Sequence, residues 1–197
     1  MPKITTPRSP GLRFSHAVLG VAVIHQLIGS EWMAKPWKMA EASALQATLF
    51  ELHEWAGLTA TVMLVVLLVS LFRRAQGGFF TRYFPWLAAA GRGGIWSEAK
   101  QALGGLKKLT PPTSQQTEHL ATAVQGLGLL ILLFFTVTGT AMWLLEDNLD
   151  LMHRIGSIHE LGALPLKLYL LGHAGMAVIH EWRGEGLMRK MFAVRGG

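Results

Sequence analysis

The stretch SIHELGALPLKLYLLGHAGMAVIHEW, residues 157–182, reads as one apolar helix that nevertheless carries three histidines and a lysine. The histidines are His159, His173 and His180, and the lysine is Lys167. Ionisable groups are costly inside a membrane-spanning helix and usually serve a function there. The stretch therefore predicts a membrane helix whose histidines do more than pack.

The rest of the chain is equally apolar: 51% of its 197 residues are hydrophobic, and the mean hydropathy is +0.34. It has no cysteine, which excludes a disulfide framework, a zinc ribbon and covalent c-type haem attachment. Four stretches approach the roughly 20 residues that an α-helix needs to cross a bilayer: 14–34, 48–72, 118–145 and 158–182. The sequence predicts an all-α integral membrane four-helix bundle, formed by a single domain over residues 1–197. The first stretch has a histidine in its middle and no convincing cleavage site, so we expect a retained span and no signal peptide.

The basic residues predict the orientation, because cytoplasmic segments retain lysine and arginine. They concentrate in the N-terminal tail, the connection 73–117 and the C-terminal tail: Lys3, Arg8, Arg13, Arg73, Arg74, Arg82, Arg92, Lys100, Lys107, Lys108, Arg183, Arg189, Lys190 and Arg195. The opposite connections hold only Lys35, Lys38 and Arg154, together with Glu146, Asp147 and Asp150. Both termini are therefore predicted to be cytoplasmic. This asymmetry also accounts for the high isoelectric point without a nucleic-acid partner.

The long connection contains GGIWSEAKQALGGLKKL, residues 93–109, with apolar residues at near-helical spacing and lysines between them. This pattern predicts an amphipathic helix along the inner membrane surface. Docking of a partner protein is the alternative interpretation.

Four histidines pair by their predicted depth in the membrane. His16 and His173 lie near the inner face, whereas His53 and His159 lie near the outer face. His159 and His173 are 14 residues apart, about 21 Å along one side of a continuous helix. A six-coordinate b-type haem needs two axial nitrogens from opposite sides of its ring. We therefore predict two haems, against the alternative of histidines hydrogen-bonded to neighbouring helices.

Two glycines suggest where a flat ring approaches the backbone. Gly20 and Gly57 each follow a predicted ligand by four residues, on the same helical face. Ordinary close helix packing is the alternative explanation.

Several motifs resemble the bacterial cytochrome b561 family, which includes the cytochrome b subunits of hydrogenases and formate dehydrogenases. They are RFSHAVLG at 13–20, LHEWAG at 52–57, IHEL at 158–161, GHAGMAVIH at 172–180 and GLMRKMF at 186–192. The resemblance implies haem ligands from helices one, two and four, which are His16, His53, His159 and His173. It also implies electron transfer in the bacterial inner membrane through two haem b groups, with a quinone on one side.

The remaining polar residues carry less specific expectations. His180 lies two turns past His173 and is a candidate quinone ligand, with Glu181 or a water as its proton partner. Arg13, Arg154 and Arg183 complete the predicted cofactor-binding set, and Arg183 is expected at a haem propionate or a lipid phosphate. His25 is predicted to be a hydrogen-bonded packing residue. Lys167 is expected near mid-membrane, neutral or paired, and Pro165 should kink its helix.

Three functions follow from these expectations. The first is an electron relay between membrane quinone and a redox partner, either a periplasmic c-type cytochrome or a catalytic oxidoreductase subunit. The second is an enzyme in its own right, such as a superoxide oxidase that passes electrons to ubiquinone. The third is a histidine-lined metal transporter. A transport site of that kind favours ligands clustered at one depth in the membrane, whereas these histidines lie at two depths.

The predicted orientation is tested by reporter fusions. A fusion after Gly197 should read as cytoplasmic because the tail is basic, and a control fusion after Asp147 should read as periplasmic. The measurement is the activity of alkaline phosphatase, which folds only outside the cytoplasm, against fluorescence of a cytoplasmic reporter. Phosphatase activity at Gly197 would reverse the orientation and the depth order of the histidines.

Overall fold

The computed structural model describes residues 9–76, 78–108 and 110–192. Within these residues the chain is helical and has no strand, which confirms the all-α fold. Its α-helices are α1 Pro10–Gly29, α2 Ala44–Arg74, α3 Phe79–Tyr83, α4 Ala89–Lys107, α5 Glu118–Leu144, α6 Leu149–Leu161, α7 Ala163–Trp182 and α8 Leu187–Phe192. Lys3, Arg8 and Arg195, which enter the orientation prediction, lie outside the described residues.

Four segments are long and apolar enough to cross a membrane, as the sequence predicts. They are Pro10–Gly29, Ala44–Arg74, Ser114–Leu144 and Leu149–Trp182. Many of their large apolar side chains are exposed, for example Val21, Val62 and Leu171. An apolar exterior of this extent is expected for helices that face lipid.

The helices start where polar side chains cap free backbone N–H groups. The Ser9 hydroxyl accepts from Leu12 N–H, so α1 begins at Pro10, earlier than predicted. Ser43 and Gln46 form a reciprocal capping box at the start of α2. The Asn148 side chain accepts from Leu151 N–H, which starts α6 about ten residues before the predicted fourth span.

The fourth span is interrupted near Pro165, as the sequence predicts. The helix breaks at Gly162, between α6 and α7. Pro165 has no N–H to donate to the carbonyl of Leu161, and its ring would clash with that carbonyl in a regular helix. Gly162 also permits close packing, since a Cβ atom there would lie 2.6 Å from a ring carbon of Phe134.

The described chain divides into two compact units. The first unit comprises Ser9–Ser70 and Ile131–Leu168, and therefore contains α1, most of α2, the second half of α5, all of α6 and the start of α7. The second unit comprises Leu71–Leu130 and the described residues from Tyr169 onward.

In the first unit, the connection between α1 and α2 is fastened to α6 and α7. Lys35 Nζ lies 2.5 Å from a carboxylate oxygen of Glu160, and the Trp37 ring packs on His153 at 4.5 Å between centroids. Backbone hydrogen bonding adds a further link, from Ala34 N–H to the carbonyl of Gln46. These contacts link the α1–α2 connection to the start of α2 and to α6.

In the second unit, α4 is the amphipathic helix predicted from residues 93–109, and Glu98 joins it to α5. One Glu98 oxygen lies 2.7 Å from His119 Nδ1, and the other accepts from Leu120 N–H at 2.8 Å. A carboxylate at a helix N-terminus satisfies free N–H groups and interacts favourably with the helix dipole. His119 is therefore paired with a carboxylate. The position of α4 on a membrane surface stays a prediction.

Candidate functional site

The first unit brings two of the sequence-predicted histidines together. His53 lies near the start of α2, and His159 lies near the end of α6. Their ring centroids are 6.4 Å apart, and the ring planes are inclined by 71°. Both residues are half-buried. The sequence pairs these two residues by depth alone, and the structure places their rings opposite each other.

One face of α5 forms the surface that contacts the His159 ring. Thr138 Oγ1 lies 2.7 Å from His159 Nδ1, and the ring edge packs on Phe135 at 4.8 Å and 85°. Gly139 also belongs to this contact surface, because a Cβ atom at this position would lie 3.4 Å from His159 Cε1. Residues 135, 138 and 139 are three and four positions apart, the spacing that aligns side chains on one helical face.

A glutamine of α1 supports the backbone at His53. Gln26 Nε2 donates to the His53 carbonyl at 3.0 Å. A Cβ atom at Gly57 would lie only 3.0 Å from this Nε2 atom. The close neighbour of Gly57 is therefore an amide, which favours the helix-packing explanation for this glycine. No heavy atom lies within 4 Å of the corresponding position at Gly20, so a close approach by a flat ring there stays a prediction.

Nδ1 of His53 and Nδ1 of His25 are buried in the first unit and make no hydrogen bond within the described part of the chain. The prediction that His25 is a hydrogen-bonded packing residue is therefore not met at this nitrogen. A buried polar atom without a partner costs about 1–3 kcal/mol. Such a cost points to rings whose surroundings are completed by something other than the protein chain.

Lys167 forms an ion pair in the first unit. Its Nζ lies 2.6 Å from Glu31 Oε1, beyond the end of α1 at Gly29. The hydrogen bond and the positive charge of Lys167 lower the pKa of the Glu31 carboxyl. Of the two expectations for Lys167, neutral or paired, the structure supports pairing, and it identifies a partner that the sequence does not name.

Arg13 and Arg154 also belong to this unit. Arg13 is half-buried on α1, one turn before His16, and Arg154 is exposed on α6, five residues before His159. Their place in the predicted cofactor-binding set stays a prediction.

The second unit holds His173 and the C-terminal end of α7. The His173 ring stacks on Tyr169, one turn earlier, with centroids 5.4 Å apart and an interplanar angle of 12°. Gly128 of α5 makes room for Tyr169, because a Cβ atom there would lie 2.5 Å from its Cζ atom. Helix α5 therefore sets the position of the Tyr169 ring, and with it one face of His173.

His180 is buried, with 7% of its surface exposed, and it pairs with Glu185. The distance from His180 Nδ1 to Glu185 Oε1 is 3.0 Å. A local turn creates this pair: Gly184 adopts a positive φ of 77°, Glu185 N–H donates to the His180 carbonyl, and Gly184 N–H donates to the Glu181 carbonyl. This is the Schellman arrangement, which ends a helix and returns the chain over its last turn.

Glu185 is held by several donors. Burial raises the pKa of its carboxyl, but hydrogen bonds from Ser114 and His180 outweigh this effect and lower the pKa to about 2. The Ser114 backbone N–H donates to Oε2 at 3.0 Å. Glu185 is thus ionised and ties the end of α7 to the start of the third span.

The neighbours of His180 have other contacts in the structure. Glu181 accepts from the backbone N–H of Met188 at the start of α8, whereas Glu185 contacts the imidazole. Arg183 donates to the Pro111 carbonyl, and its Nε lies 3.8 Å from Glu185 Oε1. A contact of Arg183 with a propionate or a lipid phosphate stays a prediction.

Sequence reasoning missed Thr138 and Glu185. A hydroxyl in an apolar span at the depth of a predicted ligand is a signal for the first. A glycine directly after the last helical turn, followed by a carboxylate, is a signal for the second.

One protein family matches nearly the whole chain: the sequence model described as Prokaryotic cytochrome b561 covers residues 8–193. The searches of curated proteins and of solved structures give no match. Among the described residues, no group of three or more His, Cys, Asp or Glu side chains is arranged to hold a metal ion.

The role of Glu185 predicts a pH-dependent stability. Because its pKa falls from an ordinary 4.5 to about 2 on folding, its contribution is complete above pH 4.5 and is lost as the pH falls towards 2. Glu185→Gln should lower the free energy of unfolding by about 1.5–3 kcal/mol at pH 7, the range for hydrogen bonds to a charged group. Thermal unfolding in detergent at pH 7 and pH 2.5 measures the difference.

The control for this prediction is Glu41→Gln, which changes an exposed glutamate of the first unit. It should alter stability little at either pH. An effect of Glu185→Gln that is the same at pH 7 and pH 2.5 would contradict the assigned role.

Proposed function

Since the chain belongs to the prokaryotic cytochrome b561 family, it is a membrane b-type cytochrome of electron transfer, and we propose that it carries two haem b groups. It would pass electrons across the bacterial inner membrane between a quinone pool and a periplasmic or peripheral redox partner. Haem b, when bound, supplies a one-electron redox couple whose potential is tuned by its axial ligands and surroundings. Family membership also favours a cytochrome over a histidine-lined metal transporter.

The separation of His53 and His159 carries the proposal of an outer haem. With a metal–nitrogen distance of about 2.0 Å on either side, the rings of His53 and His159 would leave room for an iron between them. The observed separation is 6.4 Å.

The chemistry of the His159 ring also fits haem ligation. His159 has Nδ1 engaged by Thr138, which would leave Nε2 for iron. A ligating histidine characteristically uses its second nitrogen for a hydrogen bond that sets the ring orientation. His16 and His173 stay the predicted ligands of the inner haem on the evidence of sequence.

Replacement of each ligand should remove a defined spectral component. His53→Ala and His159→Ala should both lose the same b-type haem component and retain the other, because one axial ligand does not hold a six-coordinate haem. His16→Ala and His173→Ala should lose the other component. The measurement is the reduced-minus-oxidised spectrum together with the haem content of the purified protein.

The control is His153→Ala, six residues before His159 on the same helix, where the ring packs on Trp37. It should keep both components. Loss of the same component in His16→Ala and His53→Ala would contradict the pairing.

The charge around the α1–α2 and α5–α6 connections favours a cationic partner. Lys35 and Lys167 are each paired with a glutamate, which neutralises both. The exposed acidic residues Glu41, Glu51, Glu146, Asp147 and Asp150 then exceed the exposed basic residues Lys38 and Arg154. A negative surface attracts a positively charged protein such as a basic c-type cytochrome and repels an anion such as superoxide. Superoxide consumption with added quinone distinguishes the relay from the oxidase.

The His180–Glu185 pair supports a quinone site at the end of α7. A histidine hydrogen-bonded to a carboxylate can hold a proton and pass it to a quinone oxygen. Glu185 replaces Glu181 as the proposed proton partner, because Glu185 is the carboxylate in contact with the imidazole.

Removal of His180 should affect quinone exchange and leave haem binding intact. We expect His180→Ala to keep both haem components but to slow haem oxidation by quinone at least roughly tenfold, equivalent to about 1.4 kcal/mol of barrier. Stopped-flow oxidation at the haem α-band measures the rate. The matched control is His119→Ala, since His119 also pairs with a glutamate in the second unit. A parental rate in His180→Ala would place the quinone site elsewhere.

A further inference from the structure

The hydroxyl of Thr138 makes two short contacts within the first unit. It lies 2.7 Å from the Phe134 carbonyl oxygen, one turn earlier on α5, and 2.7 Å from His159 Nδ1 on α6. A threonine hydroxyl has one proton to donate and two lone pairs that accept. Because there is only one proton, the direction of one hydrogen bond fixes the direction of the other.

A carbonyl oxygen only accepts, so the Thr138 hydroxyl proton is directed to Phe134. The contact with His159 must then run the other way, with the imidazole Nδ1–H donating to Thr138 Oγ1. A neutral imidazole carries a single N–H, so Nε2 of His159 is left as a lone pair. This is the tautomer that metal ligation through Nε2 requires.

The surroundings of the ring support this assignment. Phe135 packs edge-on against the His159 ring, and Gly139 leaves room for its Cε1 edge. Thr138 lies between these two residues along the helix and supplies the polar contact with the His159 ring. The ring is therefore confined sterically on two sides and oriented by one hydrogen bond.

We propose that Thr138 is a positioning residue: its hydroxyl accepts the His159 Nδ1–H, orients the ring and reserves Nε2 for the outer haem iron. This role rests on the proposed function, in which His159 is an axial ligand. Hydrogen bonding at Nδ1 also makes the imidazole more basic, which stabilises the oxidised iron relative to the reduced iron. Thr138 therefore lowers the midpoint potential of the outer haem as well as strengthening its binding.

The test compares Thr138→Val, which keeps the shape and removes the acceptor, with Thr138→Ser, which keeps the hydroxyl. Thr138→Val should weaken binding of the haem component that His159→Ala removes by about tenfold, as expected for loss of a hydrogen bond to a metal ligand. The midpoint potential of this haem component should shift upward, and the low-spin electron paramagnetic resonance signal of the same component should change. Thr138→Ser should restore both properties towards the parental values.

The measurements are haem titration into apoprotein and potentiometric titration of the α-band, neither of which depends on activity. Thr136→Val is the matched control, because Thr136 is two residues earlier on the same helix and about 200° around it. It should leave both quantities unchanged. Should Thr138→Val fail to fold, Thr138→Ala against Thr138→Ser makes the same comparison.

Parental haem affinity and potential in Thr138→Val would overturn the positioning role. Equal shifts in the Val and Ser variants would also overturn it, because they would show that only side-chain volume matters. If His159→Ala itself retains both haem components, the proposed ligation fails. If His159→Ala loses a component that Thr138→Val leaves unchanged, only the role of Thr138 fails.

Discussion

An imidazole ring among apolar helices needs a partner for each nitrogen, and this requirement explains how the histidine clusters are built. An unpaired buried polar atom costs about 1–3 kcal/mol, a large part of the stability of a small domain. His159 meets the requirement at Nδ1 through Thr138, and His180 meets it through Glu185. His53 keeps a buried nitrogen that no described group satisfies.

The first unit holds its histidine pair by contacts that cross long stretches of chain. Lys35 with Glu160 and Lys167 with Glu31 fasten the α1–α2 connection to the fourth span. Exposed ion pairs contribute little to stability, about 0–1 kcal/mol each. Their main effect is on charge, because they neutralise Lys35 and Lys167. The other exposed charged residues at these connections are mostly acidic, and this is the basis on which a cationic partner is proposed.

In the second unit, the hydrogen-bond partner of the histidine comes from the turn at the end of a helix, whereas in the first unit it comes from the face of a helix. The positive φ of Gly184 reverses the chain after α7, so that Glu185 returns to His180 only five residues away. The same carboxylate accepts from Ser114 at the start of the third span. A single ionised group therefore links a candidate proton-transfer histidine to the bundle, and its low pKa keeps it charged at neutral pH.

The sequence by itself determined the helical class, the four apolar spans, the amphipathic α4 and the break near Pro165. These features depend on composition and on spacing within single helices, where periodicity and caps act over a few residues. It also paired His53 with His159, because depth along a span follows from helical rise alone.

Only the tertiary structure decided which groups touch these histidines. Thr138 is 21 residues from His159, and Glu31 is 136 residues from Lys167. A periodic pattern does not encode contacts of this kind, because they depend on the rotation and packing of one helix against another. For the same reason Gly57, which the pattern placed against a flat ring, lies against the side chain of Gln26.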